Sequence, residues 1–423
     1  MYTVNKDEVL SLIKKKNYPM AEILLRIHLR NEPCDYEAIY LLGYIASTLN
    51  LTDFALRYFS EAMKLAPNWQ PAHDAHNLIL NRESRLQQVK NPETVSALES
   101  PRQYILIKAW GCGFWSDVSH VLGQLLIAEL TERIPVIHWG RNSLYGDGSS
   151  ANAFEFYFEP LSKVSISDLQ NDVSDIWPPK WHKGNLGESN VNTLNGPYSR
   201  IAGIYLLGRS EKLVVSDFFT SVYDLRPWIP EGHHLYGLSI DELWRYLVRK
   251  YLHPQKEIMD QVDKFHENHF ASADFLAVHM RGSDKIREYT TGNSYIDEIH
   301  RQYISIIEEY LSSKNLQKIF LMTDDTRILK SIKKIYGNKV ITTDCHRTEN
   351  AQGVHKLPIQ DRRKLGNEIM VDVYLAARAG AFVGSATTNP SRFVGYLKDW
   401  PEDTINLLGV NPFHRPNLFL HKW

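Results

Sequence analysis

Residues 275–285 read FLAVHMRGSDK, an apolar run that ends in His279, Arg281, Asp284 and Lys285. A buried strand that stops at a proton carrier, a guanidinium, a carboxylate and an ammonium has the makings of a site floor. Two more apolar runs end the same way. Lys318 to Thr323 stops at Asp324-Asp325, and Ala381 to Gly384 stops at Ser385-Ala-Thr-Thr-Asn389. If the three are parallel strands of one open sheet, their polar ends converge on one edge, where such sheets bind ligands.

The residue types suit a nucleoside diphosphate. Arg281 offers a fork of N–H donors for phosphate oxygens, and Thr387, Thr388 and Asn389 precede a helix whose first amides are free to bind an anion. Asp372 sits within a helical stretch and presents a carboxylate. An exocyclic amine beside a ring N–H, as in guanine, is the donor pair it would take. Each residue has a plainer reading as well. Arg281 and Asp284 would make an ordinary surface ion pair, and His279 a hydrogen-bonded structural histidine. Asp324-Asp325 reads as a helix N-cap rather than a metal ligand, since a helical pattern follows at Thr326. Asp344, His346 and His355 share a loop without metal-site spacing, so no metal is expected.

The elements that must position these groups alternate. After Ala273 come a strand at 275–280, an amphipathic helix at 293–312, a strand at 318–323, a helix at 326–336 and a strand at 339–342. A helix at 365–379, a strand at 381–384 and a helix from Ser391 to Leu397 complete the series. Upstream, strand 104–109, the glycine turn Gly111-Cys-Gly113, helix 118–131 and strand 134–139 form a second β-α-β unit. Its glycine spacing is not a dinucleotide fingerprint. Residues 141–200 are rich in Asn, Ser, Gly, Pro and aromatics. Within them, Asn152 to Phe158 suits either core or an acceptor-binding lip. Two such units predict two Rossmann-like lobes with a cleft between them, at residues 103–270 and 271–423.

Residues 1–88 are different. Apolar residues recur there at helical spacing, and a repeat is visible. Leu42-Gly43, Ala46, Ala55, Phe59, Ala62 and Pro67 match tetratricopeptide spacing, and Ala21, Leu25, His28 and Pro33 form a degenerate copy upstream. A helix at 72–86 would cap them. Two repeats and a cap are short for a free solenoid, so this all-α domain is expected to dock on the region that follows. It would serve as a partner or acceptor surface, or as a helical brace. Residues 89–102, with two prolines, read as a linker.

Composition bounds the rest. The 423 residues carry a net charge of −1, which argues against bulk nucleic-acid or anionic-membrane binding. Three scattered cysteines fit a reducing compartment. The N-terminus lacks a signal-peptide pattern and no apolar run spans a bilayer. The expectation is a cytoplasmic protein, at most peripheral to a membrane.

Four ordered segments carry a resemblance across roughly residues 103–400. HMRGSDK is similar to the HVRRTDK segment of the α-1,6-fucosyltransferase family, which includes the rhizobial nodulation fucosyltransferases. FLMTDD resembles the second segment of that family, VDVYLAARAGAFVGSATTNPSRF the third, and GCGFWSDVSH its first glycine turn. The helical repeats lie outside the likeness. The resemblance implies a GT-B fold and an inverting, metal-independent transfer of fucose from GDP-fucose, with no cofactor beyond that donor. By position it implies that Arg281 holds the β-phosphate, His279 lies against the nucleotide, Asp372 binds guanine, and Thr388 and Asn389 contact the diphosphate. Lys285 matches the lysine near the acceptor hydroxyl. The family's glutamate base falls at Tyr289 here; Glu288 stands one residue earlier and is the base candidate. The second arginine of HVRRTDK is Gly282.

The expected function is therefore transfer of fucose to a hydroxyl of a glycan or other acceptor. Transfer from another GDP-sugar and a repeat-based scaffold with a decayed transferase region are the alternatives.

Overall fold

In the computed structural model the described residues are 5–15, 18–48, 52–89, 102–140, 143–149, 151–188, 206–217, 220–270, 274–282, 294–349, 354 and 361–409. Asp284, Lys285, Glu288, Tyr289 and His355, together with most of the 89–102 linker, lie outside them.

Five helices open the chain: α1 (Lys6–Lys14), α2 (Tyr18–Asn31), α3 (Tyr36–Thr48), α4 (Thr52–Leu65) and α5 (Gln70–Val89). Ala46, Ala55 and Ala62, three of the small residues of the repeat, are fully buried between α3 and α4 or beside them. Small side chains there let helix backbones approach closely. The expected docking is present. Phe54 and Tyr58 of α4 put their ring centroids 4.1 and 6.2 Å from Trp228, and the Arg57 guanidinium stands 5.1 Å over the same indole.

The first α/β lobe contains β1 (Tyr104–Lys108), α6 (Phe114–Thr131), β2 (Ile134–His138), α7 (Ile166–Asp172), β3 (Ile176–Trp177), β4 (Leu213–Ser216), α8 (Val222–Leu225), α9 (Ile240–Tyr251) and α10 (Lys256–Phe270). Its strands lie in the order β2-β1-β4-β3, all parallel. The second lobe contains β5 (Phe275–His279), α11 (Ser294–Ser313), β6 (Lys318–Met322), α12 (Thr326–Tyr336), β7 (Val340–Ile341), α13 (Arg362–Ala376), β8 (Ala381–Ser385), α14 (Asn389–Leu397) and β9 (Ile405–Leu408). Its order is β7-β6-β5-β8-β9, again all parallel. Every residue of β5 is buried, as expected for a parallel strand covered on both faces.

Several boundaries differ from expectation. Helix α6 begins at Phe114 and not Val118, because Gly113 takes the N-cap in an extended conformation. Helix α13 begins at Arg362 and not Leu365, because the Asp361 side chain accepts the Lys364 amide and caps it. Strand β9 (INLL), at the sheet edge, carries no fully buried residue. The 152–158 segment is core: Ala153, Phe154, Tyr157 and Phe158 are 0–1% exposed. The Tyr157 and Phe158 rings pack on Phe114 at the start of α6, and Phe154 packs on Phe158.

The lobes meet through helices. Phe393 of α14 lies 4.3 Å from Trp115 of α6, centroid to centroid, and α14 also packs on α9. Among the described residues no helix is long and apolar enough to cross a membrane.

Candidate active site

In the second sheet the chain leaves β5 in one direction through β6 and β7, and returns to β5's other side as β8. The adjacent ends of β5 and β8 are thus a topological switch point, where neighbouring loops diverge and open a crevice. His279 closes β5 and Ser385 closes β8. The crevice is a cavity of about 140 Å³ between the lobes. Lining it are His279 and Arg281 after β5, Asp324 after β6, Asn389 at the start of α14, and Asp372 and Glu368 on α13. The first lobe contributes Gly113 to Ser116 and Tyr145.

His279 is 6% exposed. Its Nδ1 lies 2.7 Å from Ser391 Oγ and 3.4 Å from Thr388 Oγ1, and its carbonyl accepts the Tyr303 hydroxyl at 3.0 Å. Burial pushes the imidazole well below its usual pKa, with Arg281 adding to the effect and Asp324 opposing it. The ring is therefore neutral at pH 7 and serves as a fixed wall with one further nitrogen.

Arg281 Nε stands 3.8 Å from Asp324 Oδ2, and Asp324 Oδ1 accepts the Gly282 amide at 3.2 Å. One carboxylate thus orients both the guanidinium and the backbone behind it. Asp325 is the helix cap. Its Oδ1 accepts the Arg327 amide at 2.8 Å, and Arg327 Nε donates to the same oxygen at 3.0 Å. Among the described residues no group of histidine, cysteine and carboxylate side chains is arranged to hold a metal ion.

Gly282 has a steric reason. A Cβ built there would sit 2.5 Å from Ile328 Cδ1 and 2.8 Å from Asp325 Oδ2. A second arginine beside Arg281 does not fit this backbone. Gly282→Ala is expected to destabilise the protein by about 1–3 kcal/mol, as overpacking does. The denaturant midpoint measures it, and an unchanged midpoint contradicts the close packing.

Thr388 differs from the expected diphosphate contact. It is 3% exposed and does not line the cavity. Its hydroxyl is engaged inside the wall, 3.2 Å from Ser385 O and 3.0 Å from Ser391 Oγ. It is also the N-cap of α14 without capping it by side chain, so the Asn389 and Ser391 amides keep no side-chain acceptor there, while Pro390 has no N–H to offer. The α6 N-cap, Gly113, likewise has no side chain to offer. Two helix starts, one from each lobe, border the cavity, with the first amide of α6 donating to Tyr145 Oη. Asn389 joins them: its Nδ2 donates to Ser116 Oγ at 2.7 Å.

Asp372 is 8% exposed and accepts the Thr343 hydroxyl at 2.5 Å. Burial pushes its carboxyl up to about 6, against the pull of Thr343 and Arg347. One turn earlier Glu368 grips His346, accepting its amide at 2.9 Å and lying 2.8 Å from Nδ1. Two carboxylates on one helix face thus pin the 343–346 loop against α13. Glu368, Tyr145 and Ser116 were not singled out from sequence. Glu368 was findable by its i, i+4 spacing from Asp372; the other two depend on long-range contacts.

Asp117, in the first turn of α6, is fully buried, and its Oδ1 accepts the Cys112 amide at 3.0 Å. It ties down the glycine turn that follows β1. Burial pushes this carboxyl up to about 7.

The fold and cleft define a two-lobed α/β protein whose crevice is built from the carboxyl edges of two parallel sheets. Among solved structures the chain is similar to NodZ α-1,6-fucosyltransferase co-crystallized with GDP, at 19% identity over 70% of this chain and 92% of that one, TM-score 0.47. It is similar to POFUT1 in complex with GDP, at 17% identity over 74% of this chain and 100% of that one, TM-score 0.43. Arabidopsis thaliana FUT1 in complex with GDP shares 13% identity over 77% of this chain and 76% of that one, TM-score 0.43. No protein-family model matches the chain, and no curated protein matches it.

Proposed function

We propose that the protein is a glycosyltransferase of GT-B architecture that moves fucose from GDP-fucose to an acceptor hydroxyl with inversion. The observation that supports this best is the meeting of Arg281, the start of α14 without a side-chain cap and the buried carboxylate Asp372 around one cavity. Phosphate oxygens complement the first two. A base with adjacent N–H donors complements the third.

In the proposed reaction the acceptor oxygen bonds to the anomeric carbon as the bond from that carbon to the β-phosphate oxygen breaks. The acceptor proton passes to a general base, and GDP departs with the bonding pair. Arg281 and the α14 amides stabilise the charge that grows on the departing phosphate. These residues account for leaving-group stabilisation without a metal. Glu288 as base and Lys285 beside the acceptor hydroxyl are carried by the sequence resemblance alone. We read α1–α5 as a tetratricopeptide pair with a capping helix, docked on the first lobe through Trp228, which offers a surface to a protein or glycan partner. A cytoplasmic location, with any membrane contact peripheral, completes the reading.

Titration calorimetry tests it. GDP is expected to bind at least about tenfold tighter than UDP or ADP, a difference of about 1.4 kcal/mol, and GDP-fucose to be turned over in preference to GDP-mannose. Tighter UDP binding overturns the guanine assignment. Binding of no nucleotide favours a scaffold whose transferase region has decayed.

A further inference from the structure

Tyr145 at the cavity wall and Tyr157 behind it are linked through their hydroxyls to both lobes. They are 1% and 0% exposed, yet both carry a hydroxyl that packing alone does not need, since a phenylalanine ring fills nearly the same volume. Each hydroxyl has a specific partner. Tyr145 Oη accepts the backbone amide of Phe114, the first residue of α6, at 2.6 Å. Tyr157 Oη lies 2.7 Å from the Tyr145 carbonyl and 3.2 Å from the carbonyl of Arg363 in α13, with its proton directed at these acceptors. Burial raises both phenols, so both stay protonated.

The second lobe is shaped to receive this contact. A Cβ at Gly366 would fall 2.3 Å from Tyr157 Oη, so only glycine lets α13 come this close. The Phe114 ring is held edge-on between the two tyrosines, at 5.1 Å from Tyr145 and 4.9 Å from Tyr157. The result is a continuous path. It runs from α13, whose cleft face carries Glu368 and Asp372, through Tyr157 and Tyr145 to the helix start that forms the opposite wall.

We propose that Tyr145 and Tyr157 form a strut that fixes the spacing of the two cleft walls, making them positioning residues for group transfer between donor and acceptor. Neither touches the reacting atoms. Their effect is to hold the α6 start, on the acceptor side, at a set distance from the helix that holds the nucleotide. An error of about 1 Å in such spacing costs on the order of 10²-fold in rate, whereas nucleotide affinity, set within the second lobe, changes little. The proposal rests on the GDP-sugar reading of the cleft.

The test uses the full chain with Tyr145→Phe, Tyr157→Phe, both together, and Gly366→Ala as a wedge under the same hydroxyl. Expected are GDP affinity within about threefold of wild type and GDP release from GDP-fucose at saturating donor lowered about tenfold or more. The double Phe variant should be no worse than the weaker single one, because the hydroxyls act as one unit. Hydrogen exchange should quicken both at the start of α6 and around 363–366 in Tyr157→Phe. Wild-type turnover, a loss confined to donor KM, a multiplied loss in the double variant, or a loss that follows thermal unfolding overturns the strut. A wild type that neither binds GDP nor releases it from GDP-fucose sinks the GDP reading instead. Exchange then still decides: an unperturbed α6 start in Tyr157→Phe overturns the strut on its own.

Discussion

Arg281→Ala is expected to lower turnover of GDP-fucose by about 10²- to 10³-fold, the loss seen when one pre-positioned donor to a developing anion is removed. The melting temperature should stay within a few degrees. Two observations separate these effects. The Arg281–Asp324 pair is 3.8 Å apart and its side chains keep about a fifth to a quarter of their exposure, 22% and 24%. Such partly exposed pairs contribute little to stability. The same guanidinium lines the cavity, and Gly282 leaves it without a neighbouring arginine in the sequence to share the charge. Arg281→Lys should recover only part of the activity, because an ammonium lacks the planar fork that holds two phosphate oxygens. Full turnover in Arg281→Ala would falsify the proposed leaving-group role.

Asp372→Asn carries the second large effect, and it falls on binding. A carboxylate offers two acceptors to adjacent N–H donors of a base. The amide keeps one and turns an NH₂ toward the other. Leaving a buried donor unpaired costs about 2–3 kcal/mol, so GDP affinity should drop about 30- to 100-fold. The pH dependence checks the assignment. Burial raises the Asp372 carboxyl from 3.8 to about 6, so wild-type GDP affinity should weaken as pH falls through about 6 and the carboxylate takes up a proton. The Asn variant should bind weakly and without that inflection. Stability moves the opposite way. Between 3.8 and about 6 the folded protein holds a proton that the unfolded chain has lost, so this residue's contribution to stability diminishes as pH rises through that window. At pH 7 the neutral Asn should therefore be no less stable than Asp. Calorimetry across pH 5–8 with parallel thermal melts reads both. A variant that loses stability together with affinity would assign Asp372 to architecture.

Much of the second lobe was legible because buried parallel strands are continuous apolar runs. The expected strands at 275–280, 318–323 and 381–384 end within one residue of those observed. Their shared edge followed from topology, and with it the meeting of His279, Arg281, Asp372 and Asn389 around one cavity. What escaped was set by contacts distant in sequence. Phe154, Tyr157 and Phe158 read equally well as a lip or as core; the choice depends on Phe114, some 40 residues earlier. Thr388 was expected to face the ligand, but its hydroxyl turns inward because Ser391 and His279 need it. Glu368 was visible only as the i, i+4 neighbour of Asp372, because its partner His346 lies across a loop. Helix starts were misjudged where the cap was a glycine or stood in a charged loop, as at α6 and α13.

The seat of the N-terminal helices on Trp228 bears on how the protein can be produced. Trp228 is 6% exposed with Phe54, Tyr58 and Arg57 against it. Removing the residues before 102 would uncover that indole and the apolar surface around it. Contiguous exposed apolar surface of this kind promotes self-association. The α/β lobes alone would therefore be a sticky fragment prone to precipitate, and the helices act as a sheath that keeps them dispersed whatever else they bind.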